Sequence, residues 1–167
     1  MGGMIAQELA IKYPGKVKKL VLGVTTSYPK PEMKKVLNNW IKIAEEGNYK
    51  KLIMDMAEKT YSEKYLTKLR KYYPIITKIG KPKSFRHFIV EAKAHFSHNT
   101  YNELLKIKCP TMIIGGAKDN IVDKASILEL ADRINNSKLL LYENSSYSVI
   151  FEEKNCFSRI VDFLKIK

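Results

Sequence analysis

Apolar strand-like runs that alternate with helical patterns occur only near the two ends of this chain; from Glu32 to about Leu105 almost nothing strand-like interrupts the helical spacing. Strands and helices alternating in this way make parallel sheets with right-handed crossovers. A long strand-free stretch between two such strands has to fold as a helical insertion. At the front, residues 2–13 read as a helix stopped by Tyr13-Pro14-Gly15. Val17 to Val24 follows as a short strand with the continuous apolar character of a sheet interior. After Pro110 the rhythm resumes: Thr111-Met112-Ile113-Ile114 predicts a strand ended by Gly115-Gly116, then a helix over Ala125 to Ile134, a strand over Lys138 to Tyr142 and an amphipathic helix over Phe157 to Leu164. The expected class is α/β, a three-stranded parallel sheet flanked by helices. Its first strand is an unprotected edge unless something pairs with it.

Within the insertion, Val36, Leu37, Trp40 and Ile43 recur at helical spacing, as do Leu52, Ile53 and Met56, then Tyr65, Leu66, Leu69 and Tyr72-Tyr73. Pro74 and Gly80-Lys81-Pro82 break the pattern, and a further helix is expected from Phe85 to Phe96, giving three to five helices. Trp40 and the many tyrosines have the residue types of an apolar cavity, but at this spacing a packed helical core is the simpler account.

Charge concentrates in the insertion. Residues 27–108 hold 18 basic and 8 acidic side chains, +10 of the chain's +13. Nucleic acid or an anionic surface is one reading of that excess. The lysines are scattered through helices with no recognisable reading module, so a solvated face is preferred and nucleic-acid binding is not expected. No run approaches the length of a transmembrane segment and no secretory signal pattern opens the chain, so a cytoplasmic location is the default. Cys109 and Cys156 fit no metal or CxxC spacing, and His95 with His98 lacks supporting ligands; no cofactor and no metal is expected. The two histidines read as residues near a helix end, from which a histidine could reach a pocket. His87 stands isolated.

In an open parallel sheet, chemistry gathers at the carboxyl ends of the strands. Three places qualify: Met1-Gly2-Gly3, the loop Gly115-Gly116-Ala117-Lys118-Asp119-Asn120, and the loop Glu143-Asn144-Ser145-Ser146-Tyr147-Ser148. Asp119 is placed to orient a histidine, as the acid of a triad does, although a loop aspartate is more often a turn or capping residue. Together these stretches resemble the α/β-hydrolase family over essentially the whole chain, matching the C-terminal part of that fold. Gly2-Gly3-Met4-Ile5-Ala6-Gln7-Glu8-Leu9-Ala10 resembles the helix that follows the nucleophile elbow. Pro110 to Asp119 resembles the strand and loop ending in the catalytic acid, and Leu139 to Glu153 the last strand with the loop that normally presents Gly-His.

The resemblance implies residues 1–26 and 106–167 as a partial core, residues 27–105 as a helical cap, Asp119 at the acid position, and Met1 and Gly2 as a remnant of the oxyanion side. It also exposes two departures. The elbow serine would stand immediately before Met1, and Ser146-Tyr147 occupies the Gly-His position, where a phenol is a poor proton acceptor. The expectation is a truncated, catalytically incomplete relative of carboxylester or acyl hydrolases. It would bind a small apolar ligand under the cap, or self-associate as a homo-oligomer through the open strand edge. Two alternatives stand beside it: half of a serine hydrolase completed by an upstream or separate chain, and a basic helical module for an anionic partner. Ser145, Ser146 and Ser148 sit at no strand-to-helix elbow, so loop hydrogen bonding is their expected role.

Overall fold

The computed structural model describes residues 1–165. Helix α1 (Gly2–Lys12) starts on the Met1 carbonyl, which accepts from Met4 N at 2.9 Å and Ile5 N at 3.1 Å. A Cβ on Gly3 would lie 2.6 Å from Thr25, so the bare glycine lets the helix press against the end of the first strand. Met4, Ala10 and Ile11 are buried on its inner face; Ile5 and Leu9 remain exposed.

Strands β1 (Leu20–Gly23), β2 (Thr111–Gly116) and β3 (Ser137–Tyr142) form one parallel sheet in the order β1-β2-β3. Leu20 pairs with Thr111, and Thr111 with Ser137. The central strand β2 is buried along its whole length. Among the described residues, no strand pairs with the outer edge of β1.

Two sequence expectations need correction here. The first strand begins at Leu20 rather than Val17, because Pro14–Lys16 winds into a 3₁₀ turn and the ladder meets Pro110, whose carbonyl accepts from Leu20 N at 3.0 Å but which has no N–H to offer. The second strand does not stop at Ile114 but runs on through Gly115 and Gly116.

The insertion folds into five α-helices with short 3₁₀ turns between and after them: α2 (Pro31–Glu45), α3 (Tyr49–Thr60), α4 (Glu63–Leu69), α5 (Tyr73–Ile76) and α6 (Arg86–Ala94). Pro74 breaks the preceding pattern by sitting in the first turn of α5, where its missing N–H costs nothing. After β2 come α7 (Lys124–Arg133), then α8 (Val149–Glu152) and α9 (Cys156–Lys165) beyond β3. Asp123 closes the start of α7 by accepting from Ser126 N at 2.7 Å.

Alternate residues of β2 face opposite layers. Ile113 joins the larger core with Leu22, Ile127, Leu130 and the insertion's Leu37, Trp40 and Ile43, while Met112 and Ile114 pack with Leu140, Val149 and Cys156. The insertion and one sheet face therefore share a single apolar core. A buried polar knot sits beside it. Gln7, fully buried, donates to Thr26 O at 3.1 Å and accepts from Thr100 Oγ1 at 2.6 Å, while Thr100 N donates to Ser27 O at 2.9 Å. These bonds tie α1 to the segments that leave β1 and approach β2. Among the described residues, no helix is long and apolar enough to cross a membrane.

Candidate functional site

The loops after β2 and β3 are pressed together by the absence of a side chain. A Cβ on Gly116 would stand 2.3 Å from Ser145 O and 2.4 Å from Ser146 O. Across this contact Ala117 N donates to Tyr142 O at 2.9 Å and Lys118 N to Ser145 O at 3.0 Å. The close approach brings Asp119 and Tyr147 into one electrostatic neighbourhood.

Asp119 is 7% exposed. Its Oδ1 accepts from Ile121 N at 2.7 Å and Val122 N at 3.0 Å, and its Oδ2 is buried with no hydrogen-bond partner among the described residues. Burial disfavours the charged form more than the two N–H groups favour it, and Asp123 adds repulsion, so the carboxyl is pushed up to about 7. Half-buried Tyr147 has its phenol raised above the ordinary value, by burial first and then by Asp119. It keeps its proton at neutral pH and has no imidazole-like lone pair to offer. The serines of this loop act as pins: Ser145 Oγ bonds Glu153, Ser148 Oγ bonds Glu152, and Ser146 Oγ donates to Thr60 O at 3.0 Å, fastening the loop to the end of α3.

Next to this pair lies a cavity of about 220 Å³, walled by Leu37 and Trp40 of α2, Met56 of α3 and Phe88 of α6, with Met1, Ile121 and Tyr147 on the sheet side. Trp40 thus serves both accounts given to it: it packs in the core, and one side of it faces empty space. Its Nε1 donates to Asp55 Oδ2 at 2.7 Å, which leaves the cavity wall apolar there. A second, more polar cavity of about 280 Å³ adjoins Asp119 and is lined by Thr26, Lys30 and Asp123.

His95, in the turn after α6, also lines the apolar cavity. Its Nδ1 lies 2.8 Å from Glu91 O and its Nε2 3.1 Å from Met1 N. Burial lowers its pKa, against the pull of the Glu91 carbonyl. The spacing of Phe88, Ala92 and His95 along the helical pattern was the signal for this position, since it sets the three on one face. His98 lies 3.9 Å from Glu8, and His87 is exposed. A Cβ on Gly2 would meet nothing within 4 Å, so Gly3 is the opening glycine that packing requires. No group of three or more His, Cys, Asp or Glu side chains among the described residues is arranged to hold a metal ion.

Residues 1–154 match the family model for serine aminopeptidase, S33. Monoacylglycerol lipase ABHD6 of Mus musculus is 38% identical over 77 residues, which is 46% of this chain and 22% of the lipase; the Homo sapiens protein is 36% identical over the same length. Among solved structures, MGS-M2, an α/β-hydrolase enzyme from a Medee basin deep-sea metagenome library, superposes with a TM-score of 0.90 at 23% identity, over 99% of this chain and 63% of that one. The enol-lactonase from Burkholderia xenovorans LB400 gives 0.85 at 20% identity, with the same coverage. The chain spans less than two thirds of each of these structures and under a quarter of the lipases.

Proposed function

This chain belongs to the α/β-hydrolase family, and from that premise we propose that it binds a small apolar ligand of the acyl or ester kind beneath a helical cap without hydrolysing it by its own residues. In this reading residues 27–105 are the cap and residues 1–26 and 106–167 the core. Asp119 stands at the acid position and Tyr147 at the base position, with Met1 and Gly2 on the oxyanion side. The observation that carries it is the buried, partnerless Oδ2 of Asp119 beside a phenol that holds its proton. A triad acid acts by orienting and stabilising an imidazolium, and no imidazole pairs with this carboxyl among the described residues. What remains is a small apolar chamber.

Trp40 is the chain's one tryptophan and lines that chamber, so its fluorescence reports occupancy directly. Methyl pentanoate is expected to shift the Trp40 emission saturably, while 4-nitrophenyl butyrate is cleaved no faster than in buffer. Ester turnover that disappears in Asp119→Asn would sink the proposal.

A second reading, half of a serine hydrolase completed by further polypeptide, is favoured by the unpaired outer edge of β1 beside exposed Ile5 and Leu9, and by the 63% coverage of the solved structures. Self-association through that edge is its homomeric form. Light scattering distinguishes them: a concentration-dependent dimer supports association of like chains. Stable capture of a co-expressed segment carrying the family's preceding strands and Gly-x-Ser, with gain of ester turnover, supports completion.

A further inference from the structure

We propose that the tip of the helical insertion is a docking surface for an anionic lipid membrane, with Tyr72, Ile75 and Ile79 entering the interface and the lysines around them meeting the headgroups. This goes beyond the ligand-binding reading and does not depend on it.

The charge excess of the insertion is not spread evenly. Residues 64–90 hold six lysines, two arginines and no aspartate or glutamate, which is +8 of the chain's +13. Arg70 is held by Glu58 and Glu63; among the described residues the other seven form no ion pair. Charge of this kind alone marks a solvated face. The structure adds apolar side chains in its midst.

Tyr72, Ile75 and Ile79 follow one another at spacings of three and four, across the 3₁₀ turn Arg70–Tyr72, α5 and the turn beyond it, where Ile79 N still donates to Ile75 O at 3.2 Å. They therefore share one face. They are 58%, 56% and 67% exposed, against 8% for the adjacent Tyr73. Two hydrogen bonds fix that face outward: Tyr73 Oη donates to Glu58 Oε1 at 2.9 Å, and Tyr49 Oη donates to Ile79 O at 3.1 Å. Rolling the tip over to bury the isoleucines would break both. Lys71, Lys78, Lys81 and Lys83, all exposed, flank the three apolar residues along the chain.

Apolar side chains among lysines match the two layers of an anionic membrane. The isoleucines enter the acyl boundary, the tyrosine ring sits at headgroup level, and the long lysine stems keep their ammonium groups among the lipid phosphates and carboxylates. Nucleic acid matches only half of this pattern. Its phosphates would pair with the lysines, but Ile75 and Ile79 would face a charged backbone.

The test is co-sedimentation of the full chain with phosphatidylcholine vesicles containing phosphatidylserine, beside vesicles of phosphatidylcholine alone. Binding to the mixed vesicles is expected, and it should weaken about tenfold or more without phosphatidylserine or in high salt. Replacing Lys78→Gln, Lys81→Gln and Lys83→Gln together should cost roughly a hundredfold, about fivefold for each lysine near the surface. Ile75→Ser with Ile79→Ser should cost about tenfold or more while leaving the salt dependence in place. Tyr72→Trp supplies a second readout. Its new tryptophan should be quenched by vesicles whose acyl chains carry bromine, whereas Trp40, buried in the core, keeps its emission in the wild-type chain. The proposal is overturned if the chain stays in the supernatant with the mixed vesicles, if the isoleucine pair variant binds as the wild type does, or if bromine leaves the new tryptophan undimmed. A DNA duplex that displaces the vesicles and binds the isoleucine variant undiminished would assign the surface to nucleic acid and overturn it too.

Discussion

Replacing Asp119 by Asn should make the chain more stable at high pH relative to wild type, and the size of the gain should depend on pH. The wild-type carboxyl titrates near 7 when folded and near 3.8 when free. Because the folded value is the higher, its favourable contribution is complete below pH 3.8 and is lost as pH rises through 7. At ~1.4 kcal/mol per pKa unit, the swing across that window is about 4 kcal/mol, of which about 2.3 kcal/mol falls between pH 5 and pH 7. Asparagine keeps an Oδ1 for the Ile121 and Val122 amides and introduces no charge. Its Nδ2 is left as partnerless as Oδ2 was, a cost of about 1–3 kcal/mol that does not vary with pH. Subtracting the two urea-unfolding curves at each pH therefore isolates the titration of this one group. The difference, variant minus wild type, should climb by 2–3 kcal/mol, as an order of magnitude, from pH 5 to pH 7 and then level off. A difference that stays flat across that range would show that Asp119 is ionised in the fold, and the account of its burial would be wrong.

Three further outcomes are expected. Gly116→Ala should lower stability by about 1–3 kcal/mol or more, because its Cβ meets backbone oxygens that cannot rotate away, whereas Gly2→Ala, with open space around it, should be neutral or slightly stabilising; thermal melts of the pair check this. Gln7→Leu strips Thr26 O and Thr100 Oγ1 of a buried partner and should cost about 1–3 kcal/mol in urea unfolding; an unchanged midpoint would remove the polar knot from the stability account. Tyr147→His should give Asp119 Oδ2 an N–H donor, lowering the carboxyl from about 7 and raising the new imidazole above its ordinary value. NMR pH titration reads both, and an Asp119 curve that does not move would mean that residue 147 does not reach it.

The architecture was legible because period and punctuation agree along the chain. Ile113 between Met112 and Ile114, and the strand-free stretch between β1 and β2, follow from local residue choice. Where the ladder starts was not legible, since Val17 is as apolar as Leu20 and only Pro110, about ninety residues away, decides how far pairing extends. The glycines of β2 misled for a related reason. Gly115-Gly116 has the composition of a turn, and its role depends on Ile127 and on the carbonyls of Ser145 and Ser146, which sequence order does not bring near. Asp119 was nameable from its place after an apolar strand, but its titration is set by burial from several elements at once. His95 was seen as a helix-end residue; that its Nε2 meets Met1 N is a tertiary contact with no local signal.

The placement of the helical insertion between two neighbouring strands also governs the order of assembly. Bringing β1 to β2 closes a loop of about ninety residues and bringing β3 to β2 one of about 26, a difference in closure entropy of roughly 1 kcal/mol in favour of the second. The insertion's Leu37, Trp40 and Ile43 need the same sheet face that β1 completes, so they cannot finish packing ahead of it. Folding should therefore proceed from the β2–α7–β3 crossover unit outward. In pulsed hydrogen exchange, the Leu20 and Val24 amides that bridge to β2 should acquire protection after those linking β2 to β3. A nascent or damaged copy would then expose its half-built helical layer and the first strand together, as one unit for a chaperone or a protease to meet.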